Sequence, residues 1–117
     1  MLDAEFGLLE IRIFTLQPGT RAEFHRISTE GTIPMMRRFG ITVLAHGPTT
    51  NDDDGYLLVR AFPTEEARVE LSRELYASDE WEQNYEQPVM AMIADYHTAV
   101  IAASDATITQ VSGVSPA

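Results

Sequence analysis

Leu8-Leu9-Glu10-Ile11-Arg12-Ile13-Phe14-Thr15-Leu16 is one strand's length of chain, and its two faces differ. Alternation puts Leu9, Ile11, Ile13 and Thr15 on one side, and Leu8, Glu10, Arg12, Phe14 and Leu16 on the other. The first side is plain core material. The second carries a carboxylate and a guanidinium among large apolar groups. The stretch reads as the central strand of the fold, with its charged side as the floor of a candidate site.

Downstream, Gln17-Pro18-Gly19 marks a turn, and Thr20-Arg21-Ala22-Glu23 fits a capping box. Phe24 and Ile27 follow at helical spacing. Gly31 and Pro34 predict a break near Thr32, then a short helical piece through Met35, Met36 and Phe39 that Gly40 caps. Residues 41–46 are β-rich. Residues 47–55, with Pro48, Asn51 and the run Asp52-Asp53-Asp54, read as a solvated hairpin connection. The spacing at 56–62 predicts a third strand, with Leu57, Val59 and Ala61 on one face and Tyr56, Leu58, Arg60 and Phe62 on the other.

Thr64 is placed to cap a second helix with Glu65 and Glu66 in its first turn and Ala67, Leu71 and Leu75 as its buried stripe. Ser78 offers a fresh cap. Trp81, Tyr85, Val89 and Met92 then keep helical spacing, with a kink expected at Pro88. Residues 95–101 read as the last strand. Residues 102–117 are small and polar and are expected to form a flexible tail or a dimer arm outside a domain of residues 1–101.

Strand, helix, strand, strand, helix, strand is the order of an α+β, ferredoxin-like βαββαβ fold with a four-stranded antiparallel sheet. Its helices lie on one face only, and they are expected to cover Leu9, Ile11, Ile13, Leu57, Val59 and Ala61. Leu8, Phe14, Leu16, Tyr56, Leu58 and Phe62 would then form an open apolar face. At roughly 2 kcal/mol per large side chain, leaving them wet would forfeit on the order of 10 kcal/mol. A homodimer packed sheet to sheet, with a space between the sheets, is the expected remedy.

Composition narrows the function classes. The 117 residues suit one domain. Cys is absent, which removes disulfides, thiol nucleophiles and cysteine metal sites. All eight basic residues are Arg, so neither a lysine Schiff base nor a phosphate-gripping lysine is available. A net charge of -10 argues against nucleic acid and anionic membranes as partners. No apolar run has the length of a membrane span and no signal peptide is evident, so a cytoplasmic location is expected.

Several segments resemble NIPSNAP-family domains. They are Leu9-Glu10-Ile11-Arg12-Ile13-Phe14-Thr15-Leu16-Gln17-Pro18-Gly19-Thr20, Gly40-Ile41, Tyr56-Leu57-Leu58-Val59-Arg60-Ala61-Phe62 and Tyr76-Ala77-Ser78-Asp79-Glu80-Trp81. They occur in order across about residues 8–100. The resemblance implies a dimeric α+β barrel, in a superfamily that also holds small antibiotic-biosynthesis monooxygenases, cyclases and a few haem proteins. It implies no shared catalytic motif.

Glu10, Arg12 and Arg60 are the leading site candidates, expected to project from neighbouring strands between the sheets. Two guanidinium groups in an apolar space would draw a carboxylate, enolate or phenolate, with Tyr56, Phe14 and Phe62 beside them as ligand contacts. Glu10 would serve there as a base. The competing reading is a structural ion-pair network that fixes strand register. His46 and His97 are candidate proton shuttles, with Asp95 as an orienter for His97; His25 is expected on an exposed helix face. Tyr96 is a possible hydrogen-bond donor. No HxxxH or HxH spacing and no dinucleotide glycine fingerprint exist, so no metal and no cofactor are expected. Two functions remain open. One is a homodimeric small-molecule enzyme performing proton transfer, cyclisation or oxygenation of an apolar, oxygen-rich substrate without a cofactor. The other is a non-catalytic dimeric binding or protein-interaction module.

Overall fold

The first strand anchors the sheet from an inner position. In the computed structural model, which describes residues 6–111, β1 (Leu8–Leu16) lies between β3 (Gly55–Phe62) and β4 (Ile93–Ala102), and β2 (Thr42–Pro48) flanks β3. All three pairings are antiparallel, in the order β2-β3-β1-β4. The fold is the ferredoxin-like α+β arrangement. Glu10 lies directly opposite Arg60, Arg12 opposite Leu58, and Phe14 opposite Tyr56.

The helical stretch after β1 does not break. Helices α1 (Arg21–Ile27) and α2 (Ile33–Arg38) are joined by a π-helical turn, Ser28–Thr32, in which the Ile33 amide donates to the Ser28 carbonyl. Pro34 has no amide proton to donate, and the widened turn lets the chain continue without that bond. Gly40, at φ 87°, ends α2: its amide donates to Arg37 O at 3.1 Å and the Ile41 amide to Met36 O at 2.9 Å, a Schellman closure. The expected Thr20 capping box does not form. The Thr20 hydroxyl turns back to Gln17 O at 2.7 Å, and Glu23 pairs with Arg26.

Thr64 and Ser78 do cap α3 (Glu65–Tyr76) and α4 (Asp79–Asn84), accepting from the Ala67 and Trp81 amides. The kink expected at Pro88 comes earlier, at Tyr85, so that Pro88 enters the first turn of α5 (Glu86–Met92). An uninterrupted helix would have driven the proline ring into the carbonyl four residues back.

The faces of the sheet are reversed from the sequence expectation. Helices cover the side bearing Phe14, Leu16, Tyr56, Leu58 and Phe62, which join Phe24, Ile33, Met35, Met36, Leu75, Trp81, Val89 and Met92 in the main core. Glu10 and Arg60 are buried there as well. The side bearing Leu9, Val59 and Ala61 is the one away from these helices. The physical reason is size. Large aromatic side chains span the gap between sheet and helices, whereas the purely aliphatic side is too shallow to fill it. Arg12 and Arg60 therefore do not point between two sheets.

The segment expected to be a tail contains a further helix, α6 (Asp105–Val111). Its Ile108 is buried against Leu9, Val59 and Ala61, so this helix lies on the second face of the sheet. Residues 112–117, the rest of the expected tail, lie outside the described residues. If α6 is docked as described, its amides should be protected from hydrogen exchange. Ile108→Ala should remove that protection, cost roughly 2 kcal/mol, and leave β1 and β3 protected. Unprotected α6 amides in the wild-type chain would return this segment to a flexible tail.

Candidate ligand site

A cavity of about 960 Å³ opens between the helices and the sheet. Its floor is the charged side of β1 and β3. Arg12, Phe14, Tyr56 and Leu58 come from these strands, and Tyr96 from β4. Phe24, Ser28 and Thr32 descend from α1 and the π turn, while Tyr76, Trp81 and Val89 close the far wall. Phe24, Ser28 and Thr32 recur every four residues, so they share one helix face. Trp81 stands edge-on to Tyr76 with ring centroids 5.0 Å apart.

Arg12 is the cation of this cavity. Its Nη1 donates a long bond of 3.4 Å to the Tyr76 hydroxyl, and its guanidinium lies 5.8 Å from the centre of the Tyr96 ring. Its Nε is buried without a hydrogen-bond partner, 3.6 Å from Glu10. The side chain is half-buried and borders the cavity. Exposed Glu82 and Glu86 stand among the lining residues.

Glu10 holds the floor together. Arg60 Nε donates to its Oε1 at 2.7 Å, Arg60 Nη2 lies 2.6 Å from the same oxygen, and Arg68 Nη1, from α3, donates to Oε2 at 2.9 Å. Burial alone would push the Glu10 carboxyl up, but Arg60, Arg12 and Arg68 outweigh it and hold its pKa below the usual value. A carboxylate so held is a poor base. Its oxygens are committed to three guanidinium groups, and it does not line the cavity.

The structure therefore divides the predicted site residues. It brings Arg12, Phe14 and Tyr56 together in the cavity. Arg60 and Phe62 are fully buried beside Glu10 and in the main core, away from the lining. His46 lies behind the wall, its Nδ1 3.0 Å from the Tyr56 hydroxyl. His97 points to the other face of the sheet, opposite Ile13, and is open to solvent 3.7 Å from Asp95. Ser28, Tyr76 and His25 were missed. The four-residue recurrence of Phe24, Ser28 and Thr32 was the available signal for Ser28. Nothing local signals that Tyr76 ends α3 above Arg12. Among the described residues no three His, Asp or Glu groups gather to hold a metal, and no helix is long and apolar enough to cross a membrane.

This arrangement has solved counterparts. A NIPSNAP family protein from Agrobacterium tumefaciens superposes with a TM-score of 0.79 at 14% identity, covering 92% of this chain and 95% of its own. A NIPSNAP-like domain protein from Burkholderia xenovorans gives 0.75 at 16% identity, covering 83% and 84%. The chain has a NIPSNAP-like fold. The likeness extends to a proposed antibiotic biosynthesis monooxygenase from Nitrosomonas europaea, with a TM-score of 0.65 at 10% identity over 88% of this chain and 94% of the other. No family model and no curated protein matches the sequence. Within the NIPSNAP-like fold, the cavity floor is the helix-facing side of the sheet, and that side is where the Glu10 network sits.

Because the native pKa of Glu10 lies below its unfolded value, the network adds stability that is complete above the unfolded value. That stability is lost as pH falls through the native one. Glu10→Gln leaves Arg60 buried without a counter-ion and should cost about 3–5 kcal/mol at neutral pH. Thermal melts between pH 7 and pH 3 should show the wild-type advantage shrinking with acid. An advantage that grew toward low pH would contradict the ion pairing described here.

Proposed function

We propose that this chain is a homodimeric small-molecule-binding protein that holds an apolar, oxygen-rich ligand between helices and sheet, with the ligand's acidic oxygen on Arg12. The observation that carries this reading is the half-buried Arg12 guanidinium on the floor of an aromatic-walled cavity. A volume of about 960 Å³ suits a ligand of drug size. Exposed Glu82 and Glu86 disfavour a strong polyanion, so a phenol, enol or single carboxylic acid fits better. The aromatic lining of Phe14, Phe24, Tyr76 and Trp81 favours a ligand with an aromatic or otherwise flat apolar body. Proton transfer at the bound oxygen or the carbon beside it is the chemistry we assign, with Arg12 stabilising the anion that results.

The second copy belongs on the other face of the sheet. Ile13 is 49% exposed and Ile101 45% exposed there, and α6 covers only the end around Leu9 and Ala61. Every residue of β4 from Ala94 to Ala102 is exposed. Burying this aliphatic strip against an identical one offers about 25 cal/mol for each Å² removed from water. His97 and Asp95 would then lie at the dimer contact, outside the cavity. A non-catalytic module is supported by a different observation: Glu10, a fully buried carboxylate held by Arg60 and Arg68, has an architectural role.

Arg12→Ala separates these readings. Affinity for a probe such as 2-naphthol or a medium-chain fatty acid should fall by about tenfold or more, while sedimentation still reports a dimer. Ile13→Asp should do the reverse, giving monomers that retain the cavity. A wild-type chain that sediments as a monomer at micromolar concentration would remove the dimer and leave the cavity reading standing. Equal probe affinity in Arg12→Ala would remove the ligand reading.

A further inference from the structure

Behind the cavity wall, three ring side chains share one hydroxyl. Tyr56 Oη lies 2.7 Å from His25 Nδ1 and 3.0 Å from His46 Nδ1, and Ser28 stands beside it on the cavity side. The imidazole centroids are 5.9 Å apart, and Phe24 meets the Tyr56 ring edge-on at 4.9 Å, which fixes the phenol between them. Tyr56 and Ser28 also line the cavity, whereas both histidines are half-buried and partly open to solvent.

A phenol has one proton to give and two lone pairs to fill. It donates to one imidazole nitrogen only. With both rings neutral, the second histidine must bring its own Nδ1–H, so the two rings must hold unlike tautomers. The remaining lone pair is the one open to a donor on the cavity side, where Ser28 stands. The phenol thus links the cavity wall to two rings that reach water.

We propose that Ser28, Tyr56, His25 and His46 form a proton relay between the cavity and solvent, able to deprotonate a phenol, enol or carboxylic acid bound at the Ser28 wall. The relay rests on the ligand reading given above for its cavity end. The ligand O–H gives its proton to Ser28 Oγ, the Ser28 proton moves to Tyr56 Oη, and the Tyr56 proton moves to the bare Nδ1. Three O–H bonds break, while two O–H bonds and one N–H bond form. The products are a ligand anion, which Arg12 in the same cavity stabilises, and an imidazolium, which returns a proton to water. Tyr56 never needs to become a phenolate, in keeping with the way burial raises its pKa. The charged groups facing His46 are His25 and Arg37; together with burial they lower its pKa, so an imidazolium formed there gives up its proton readily. The π turn has a role here too: it carries Ser28 at its first position, on the cavity wall.

Ring nitrogen NMR on the full chain at pH 8 tests the relay. One histidine among His25 and His46 should be the Nδ1–H tautomer and the other the Nε2–H tautomer, and Tyr56→Phe should turn the former into the latter. Two Nε2–H rings in the wild type would overturn the proposal. The cavity end is read with 4-nitrophenol, kept saturating, by following the absorbance of the bound anion after a pH jump. Tyr56→Phe and, as a milder variant, Ser28→Ala should slow its proton exchange by about a hundredfold. Unchanged exchange in both variants would overturn the relay. Failure of 4-nitrophenol to bind the wild type would instead count against the ligand reading, with the ring tautomers still deciding the His–Tyr–His link.

Discussion

One buried carboxylate determines how this sheet is used. Glu10 is fully buried, and it cannot sit under helices without cations beside it. Arg60 comes from the adjacent strand in direct register, Arg68 comes down from α3, and Arg12 lies two residues along the same face. The first two make the closest contacts with the carboxylate. Arg12 is held close to it and also borders the cavity. A structural ion network and the cation of the cavity are thus two ends of the same construction. Removing the carboxylate would leave guanidinium groups repelling one another in the core, which is why its deletion is expected to cost far more than a surface pair would.

The strand order and three of the helix ends were legible because they rest on local chemistry, whereas the Thr20 capping box was read and does not form. Thr64 and Ser78 cap as their sequence contexts suggest, and Gly40 ends its helix in the left-handed region that only glycine enters freely. The assignment of faces was not legible by the same logic. Alternation shows that Glu10, Arg12, Phe14 and Leu16 share a side, but not which side the helices take. Treating the purer aliphatic side as core ignores two facts. The cross-strand partner of Glu10 is an arginine, so the charge is neutralised within the sheet. The side with Phe14, Tyr56 and Phe62 carries the large aromatic groups that fill the space under the main helices. Arg68, set beside Ala67 and Leu71 near the buried stripe of α3, was the overlooked sign that a helix expected a carboxylate beneath it.

The candidate site shows the same division. Arg12, Phe14 and Tyr56 were identified because strand periodicity alone places them together. Ser28 and Tyr76 were not. The four-residue recurrence of Phe24, Ser28 and Thr32 was available for Ser28, but the break expected near Thr32, where a π turn continues the helix, hid it. Tyr76 needs the last turn of α3 to end over β1, a consequence of packing and not of propensity. His25 looks like a surface residue until the packing of α1 on the sheet places it 2.7 Å from the Tyr56 hydroxyl.

Reversal of the faces also changes how dimerisation and ligand binding relate. With the charged side between two sheets, every site role would require the second subunit, and a monomer would have no cavity. With that side under the helices, each chain encloses its own cavity, and the second face with Ile11, Ile13 and Leu57 is free to meet a partner. The two surfaces share only the thickness of one sheet. Coupling between them would have to pass through β1, where Arg12 faces the cavity and Ile11 and Ile13 face away. A ligand that shifts Arg12 would move the strand that presents those two side chains. A change of dimer affinity on ligand binding would therefore be carried by β1, and it should vanish in Arg12→Ala even though that residue never touches the partner.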